Sequence, residues 1–287
     1  MRLMFKSSLI KESVSKALFL CSAILSIIIV LIICVFLIIN GLPAISKIGL
    51  SEFLSGAKWK PSIDLYGIFP MIIASIYVTA GAIIIGVPIG ILTAIYLAEF
   101  CPRFFYSFFK SAINLLSGIP SVVFGLFGLT VIVPIIRDWF GVSGTSLLAA
   151  SIVLSIMILP TIISVSQTAI ESVPRSYYEG SLALGATHER SVIKAVLPAA
   201  KSGIVAGIIL SIGRCVGETM AVVMVAGNQA VIPNSLLKGV RTLTANIVLE
   251  MGYASGLHRD ALIATAVVLF VFILIINISF SLLRQSK

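Results

Sequence analysis

Arg214 and Glu218 pose the sharpest chemical question in this chain. They stand in Gly213-Arg214-Cys-Val-Gly217-Glu218-Thr219, inside a long apolar run. Four residues apart, they share one face if the run is a single helix. A charge at the centre of a membrane span costs roughly 2.5–3.5 kcal/mol on insertion scales. An i,i+4 ion pair recovers only about 0.2–0.5 kcal/mol in an isolated aqueous helix, and the better order is acid first. Here the arginine comes first. Mutual pairing in contact with lipid is therefore a poor account. Either the face lines a watery path, where a planar guanidinium suits phosphate or carboxylate, or the two form a buried structural pair that fixes helix register.

Other chemistries are missing from the sequence. There is no Gly-Lys dipeptide, so no P-loop to cradle a nucleotide, and no Gly-x-Ser-x-Gly elbow or His-Glu-x-x-His helix. Cys21, Cys34, Cys101 and Cys215 form no Cys-x-x-Cys and read as small structural hydrophobes. His188 and His258 stand alone, which points to no metal and no cofactor. The chain reads as no enzyme. If it does energy-driven work, a partner must hydrolyse the nucleotide.

The elements that would hold Arg214 are membrane spans. Charged residues make up 11% of the chain and mean hydropathy is +1.15, against roughly 25% charged in soluble domains. Long Ile/Leu/Val runs of about 20 residues or more favour spanning helices over a barrel. The expectation is an all-α integral membrane protein with six spans, over Ala17–Ile39, Ile68–Leu97, Ser111–Ile136, Ser146–Ile170, Ser202–Ala226 and Ala261–Leu283. The first run exceeds a signal peptide's usual apolar core and lacks a small-x-small cleavage site, so it reads as uncleaved. Residues 1–66 form a leading segment with one span and an outer loop, in which Trp59 fits an interfacial anchor; residues 67–283 form the main transmembrane domain. Glu99–Lys110, Arg137–Thr145 and Gly227–Asp260 read as loops. Pro88 within the second run predicts tilt or a kink. Glycines at four-residue spacing, in Gly203/Gly207, Gly213/Gly217 and Gly86/Gly90, match the small-xxx-small pattern of close helix contact, within the bundle or in a dimer.

Between the fourth and fifth spans lies a polar stretch, residues 171–201. Ser176-Tyr-Tyr-Glu179 matches a capping box, so a helix should start near Tyr177. Gly185 can end it and Thr187 can cap a second short helix, with Leu197-Pro198 leading into the fifth span. A loop joining two spans needs none of this, which suggests a docking element; the alternative is an amphipathic surface helix with no partner. Six spans put both termini on one side. That side carries 12 of the 20 Lys and Arg and the opposite loops carry 7, which places both termini and the 171–201 stretch in the cytoplasm. The net charge of +9 is thus a topology signal; no basic stripe interleaves with exposed aromatics, so no nucleic acid is expected. Membrane lipid is the medium.

Glu179-Gly-Ser-x-x-x-Gly185, then nine residues, then Ala195-Val-Leu197-Pro198 resembles the EAA loop of binding-protein-dependent ABC importer permeases. Gly180 and Ser181 replace its two alanines and Ala195 its isoleucine. Trp59-Lys-Pro61, Tyr66-Gly-Ile-Phe-Pro70, Ser117-Gly-Ile-Pro-Ser-Val-Val-Phe-Gly-Leu-Phe-Gly128 and the run Gly213–Asn228 are similar to the PstC-type permeases of phosphate-specific importers; Met220-Ala221 after Gly-Glu-Thr departs from the PstA type. The resemblance implies a type I importer permease in a bacterial cell membrane. Its partners would be a PstA-like second permease, two copies of a cytoplasmic ATPase and an extracytoplasmic phosphate-binding protein, with inorganic phosphate as cargo. Ser176, Glu179, Gly185, Leu197 and Pro198 would then belong to the ATPase-coupling loop, and Arg214, Glu218 and Thr219 to the phosphate path. A permease for another oxyanion or small solute, a stand-alone secondary transporter or channel, and a non-transporting phosphate sensor remain the alternatives.

Overall fold

The computed structural model describes residues 2–285, and their side chains over 15–279. The basic residues before Ser15 and after Ser279 that enter the charge count lie outside the described side chains. Among the described residues, six helical stretches are long and apolar enough to cross a membrane.

The first helix, α1 (Arg2–Ile48), runs unbroken past the expected end of the first span. The short α2 (Leu50–Ser55) follows, and then a two-stranded antiparallel hairpin, β1 (Trp59–Lys60) and β2 (Leu65–Tyr66), with Trp59 opposite Tyr66. The second span is α3 (Phe69–Ile95), helical straight through Pro88 and ending in a π-turn at Tyr96–Phe100. Next come α4 (Arg103–Gly118), α5 (Ser121–Phe127), a π-turn at Gly128–Ile132, and α6 (Val133–Phe140). The fourth span is α7 (Leu147–Glu171), started by Ser146, whose hydroxyl accepts from the Ala149 amide at 3.2 Å. Then follow α8 (Arg175–Ala183), α9 (His188–Ser191), a π-turn at Val192–Val196, and α10 (Leu197–Gly217). The chain closes with α11 (Met220–Val225), α12 (Leu243–Glu250) and α13 (Gly256–Gln285).

Several expectations are corrected. The third span does not start at Ser111. Its helix stops at Gly118, because Pro120 cannot donate a helical hydrogen bond and drives Ile119 into extended backbone (ψ 126°). The membrane-length run is Ser121–Phe140, and the expected loop at Glu99–Lys110 is largely α4, an amphipathic helix with Phe104 and Phe108 exposed. The fifth span starts earlier and stops sooner than Ser202–Ala226. It runs from His188 to Gly217 without interruption. The π-turns before Pro134 and Pro198 let the helix absorb a residue that offers no amide. Two further expected loops hold structure: α6 reaches Phe140, and α12 lies within Gly227–Asp260.

The helix α7 is the hub. It is flanked by α3 and α10, and the window that qualifies it as a span is 61% buried, the highest share of the six. Its close neighbours meet it through glycine. A Cβ at Gly90 would sit 2.7 Å from Ile162 Cγ2 and 2.9 Å from Ile162 Cβ; one at Gly203 would sit 2.4 Å from Ala169 Cβ. With no aqueous driving force between helices in lipid, such close backbone approach supplies the packing energy.

The four glycines of α10, expected from their spacing to pack within the bundle or in a dimer, have different surroundings. Gly207 is buried inside the chain, on the α7 side of α10. A Cβ there would stand 3.2 Å from Val165 Cβ, 3.3 Å from Val165 Cγ1 and 3.5 Å from Ser166 Oγ. Its carbonyl also accepts from the Ser211 hydroxyl at 2.9 Å. Gly207 therefore serves the internal α7–α10 seam and offers no surface to a second subunit. Its contacts are looser than those of Gly203. Gly213 and Gly217 are the opposite case: beyond their own helix turn, no atom of the described residues lies within 4 Å of where a Cβ would stand.

At Gly90 the methyl of an alanine meets a branched Cβ that cannot rotate away. Gly90→Ala should cost roughly 1–3 kcal/mol by overpacking and lower the melting temperature of the detergent-solubilised protein. Gly180→Ala, in open space within α8, should leave it unchanged or raise it. Equal shifts in the two melts would show that packing is not what these glycines serve.

Candidate functional site

Two regions carry the residues singled out from sequence, one at each end of α10. At the start of α10's continuous helix, α8 begins at Arg175 with Pro174 as its cap, so Ser176 lies in the first turn and does not cap it. This corrects the capping-box reading: Pro174, extended at ψ 132°, already sets the helix start, and its carbonyl accepts from the Tyr177 amide at 3.1 Å. The far end follows expectation. Gly185 adopts φ +83°, a left-handed conformation that glycine takes without a Cβ penalty, and its amide donates to the Leu182 carbonyl at 2.9 Å. The Thr187 hydroxyl caps α9 by accepting from the Arg190 amide.

No residue of α8 is buried; Glu179 and Gly180 are exposed, and Leu184 at its tip is 91% exposed. One side of this helix is nevertheless fastened. The Tyr178 hydroxyl and His188 Nδ1 are hydrogen-bonded at 2.8 Å, His188 Nε2 reaches the Glu99 carbonyl at 3.2 Å, and the Phe100 ring lies edge-on at 4.7 Å. Leu197 and Pro198 open α10 immediately beyond. His188 is thus a strut between the polar stretch and the end of α3. A second strut is Gln167, fully buried in α7. Its oxygen accepts from Lys110 Nζ at 2.9 Å, and its amide donates to Tyr106 and to Glu171. Its amide, among only small hydroxyl side chains in that apolar span, is the sequence signal for it.

At the other end of α10, Arg214 and Glu218 do not share a helix face. The helix stops at Gly217, and Glu218 is extended at φ −70°, ψ 135°. Its carboxylate turns forward to accept from the Ala221 amide at 3.1 Å, closing the first turn of α11, while its carbonyl accepts from the Thr244 hydroxyl at 2.9 Å. The Thr219 hydroxyl donates to the Gly217 carbonyl at 3.3 Å. Arg214 is exposed and, among the described residues, has no hydrogen-bond or salt-bridge partner. Leu210, Arg214 and Gly217 form one exposed stripe on α10, to which the buried Gly207 does not belong. The arrangement is therefore a cation without a counter-ion among the described residues, beside a helix break whose own carboxylate is already occupied.

A third cluster escaped the sequence reading. Glu250, 7% exposed, receives Trp59 Nε1 and His258 Nε2 on one oxygen, both at 2.8 Å, and Arg241 on the other at 2.6 Å. Burial pushes the Glu250 carboxyl up, but the three hydrogen bonds and the Arg241 charge outweigh it and hold it below the usual value of 4.5, so it is ionised at neutral pH. Trp59 is buried and donating, so the membrane-surface anchor reading is corrected. The partners lie up to 191 residues apart, and no local pattern joins them. Among the described residues no group of three or more His, Cys, Asp or Glu side chains could hold a metal ion.

Residues 86–286 match the family of binding-protein-dependent transport system inner membrane components. A probable ABC transporter permease, YqgH of Bacillus subtilis, is 42% identical over 257 residues, covering 85% of this chain and 83% of that protein. The phosphate transport system permease protein PstC of Mesorhizobium japonicum is 35% identical over 254 residues, covering 81% and 77%. Among solved structures, a bacterial ABC transporter involved in alginate import aligns with TM-score 0.67 at 17% identity over 96% of this chain and 98% of the other. The methionine transporter MetNI, in an inward-facing form, aligns with TM-score 0.55 at 21% identity over 74% and 90%. The fold is thus that of a type I importer permease, in a chain that crosses a bacterial inner membrane several times and leaves ATP hydrolysis to a separate subunit. On its sequence and its six-helix bundle alike, the protein belongs to the binding-protein-dependent permeases of ABC importers.

Proposed function

We propose that this chain is the PstC-type half of a phosphate importer, paired across the translocation path with a PstA-like permease. A permease of this family works with a separate ATPase and a substrate-binding protein. Here the reading is two copies of a cytoplasmic ATPase and an extracytoplasmic protein that delivers inorganic phosphate. The observation that carries it is Arg214, exposed and unpaired on the Leu210–Gly217 stripe. Facing lipid it would cost roughly 2.5–3.5 kcal/mol. Facing a water-filled path between two permeases it is solvated and meets the anion. That relatives such as PstC of Mesorhizobium japonicum carry a phosphate name supports the cargo.

The excess of Lys and Arg on the termini side supports a cytoplasmic location for α8. There Leu184 offers an apolar knob to the ATPase, Glu179 and Gly180 lie on the exposed helix, and Gly185 sets the turn that presents them. The His188 and Tyr178 struts pass force from α8 to α3. Leu197 and Pro198 pass it into α10, which leads directly to Arg214. Gly203 and Gly207 seat α10 on α7, whereas Gly213 and Gly217, open in this chain, leave room for a close neighbour on the Arg214 face.

Arg214→Ala should reduce phosphate uptake by reconstituted complex about 10- to 100-fold, the loss expected for one charge-assisted hydrogen bond of roughly 1.5–3 kcal/mol, while all subunits still co-purify. Unchanged uptake by an assembled complex would remove Arg214 from the path. Leu184→Asp should leave the melting temperature of the isolated permease within about 1 °C, since a substitution at an exposed tip costs little, yet prevent co-purification of the ATPase. An intact complex carrying that change would place the docking surface elsewhere.

A further inference from the structure

The helix break that presents Arg214 is not held by α10 alone. Two chains of contacts run from it to Glu250. The first starts at the Glu218 carbonyl, which accepts from the Thr244 hydroxyl at 2.9 Å on the first turn of α12; Glu250 is the last residue of that same eight-residue helix. The N-terminal turn of α12 is fixed laterally, because the Leu243 amide donates to Ser75 of α3 at 3.0 Å. The second chain starts at the far end of α11. The Asn228 amide donates to the Val223 carbonyl at 2.8 Å, and the Asn228 carbonyl accepts from Arg241 Nε at 2.9 Å. Arg241 in turn donates to Glu250 at 2.6 Å and to Asn246 at 3.1 Å. Both ends of α11 are therefore tied, by separate routes, to one carboxylate.

That carboxylate is also where the outer segments meet. Trp59 comes from the hairpin and His258 from the first turn of α13. The cluster opens onto a cavity of about 590 Å³ lined by Asp64, Tyr66, Tyr253 and Leu257 as well as by Glu250 and His258. An ionised carboxylate that takes three donors loses several bonds at once if its charge is removed, since each acceptor position is oriented by its partner. A simple tie between hairpin and α13 would not need the route through Asn228 and Thr244.

We propose that Glu250 is a positioning residue for the translocation site: it holds α11 and the Gly217–Thr219 break in the conformation that leaves Arg214 unpaired, and so links the outer surface to the path. The link rests on the reading of Arg214 as a path residue, and the two are tested separately.

The experiment uses the complete complex in proteoliposomes, with Glu250→Gln, Thr244→Val and Thr244→Ser, and with Trp59→Phe as a milder variant should Glu250→Gln fail to assemble. Amide exchange over residues 218–226 is measured beside the Vmax and KM of phosphate uptake. Glu250→Gln and Thr244→Val are each expected to speed exchange over 218–226 about tenfold and to lower Vmax with KM little changed. Thr244→Ser, which keeps the hydroxyl, should match the parent. Combining Glu250→Gln with Thr244→Val should be no worse than the more severe of the two alone. Faster exchange confined to residues 241–258 would overturn the proposal and leave Glu250 a local strut. Faster exchange over 218–226 in a complex whose uptake is indifferent to Arg214→Ala would uphold the positioning role and sink the path reading instead.

Discussion

The peptide groups between Gly217 and Met220 have no helix of their own to close them, and they lie where a spanning segment would be expected to continue. In a bilayer each such group must find a partner within the protein. Here the Glu218 amide donates to Cys215, its carbonyl accepts from Thr244, and its side chain caps α11 at Ala221. Those bonds decide much else. They occupy the Glu218 carboxylate four positions from Arg214, tie α12 to the break, and place α11 against α5. That contact is close: a Cβ at Gly125 would stand 2.9 Å from the Ala221 Cα.

The second helix break, at Gly118–Pro120, has a simpler cause and a matching effect. A proline ends α4 and starts α5, so the third span is offset from the amphipathic helix that precedes it. Around both breaks α7 supplies the rigid reference. It meets α3 and α10 through glycines, and its buried Gln167 fastens α4 by way of Tyr106 and Lys110. The α8 segment is therefore joined to the bundle in two ways, through His188 to the end of α3 and through the continuous helix from His188 to Gly217.

Much of this was legible in the sequence, for identifiable reasons. Span number follows from apolar run length, and the 171–201 stretch from residues with narrow conformational roles, such as Gly185 and Thr187. The interruption of the fifth span was not legible. Arg214 and Glu218 at four-residue spacing fit an unbroken helix equally well, and the bonds that break it come from Thr244, 26 positions away. Nor does spacing separate Gly207, enclosed against Val165, from Gly213 and Gly217, which face no other segment among the described residues. The same holds for Trp59, whose tryptophan character suggests a membrane surface until Glu250 is seen beside it. Ser176 misled because a proline two residues earlier outranked a capping pattern. Local propensity located the elements; bonds between distant segments decided where they stop.

The central claim is that a positive charge at position 214, without a partner among the described residues, carries the anion. It is tested most directly by chemical replacement of that charge. In a complex whose permease has Cys21, Cys34, Cys101 and Cys215 replaced by alanine, Arg214→Cys should lower phosphate uptake about 10- to 100-fold, as Arg214→Ala does. A methanethiosulfonate reagent bearing an ammonium group should restore part of it, and a neutral reagent of the same size should not. Equal recovery with both reagents, or full uptake before either is added, would contradict the account.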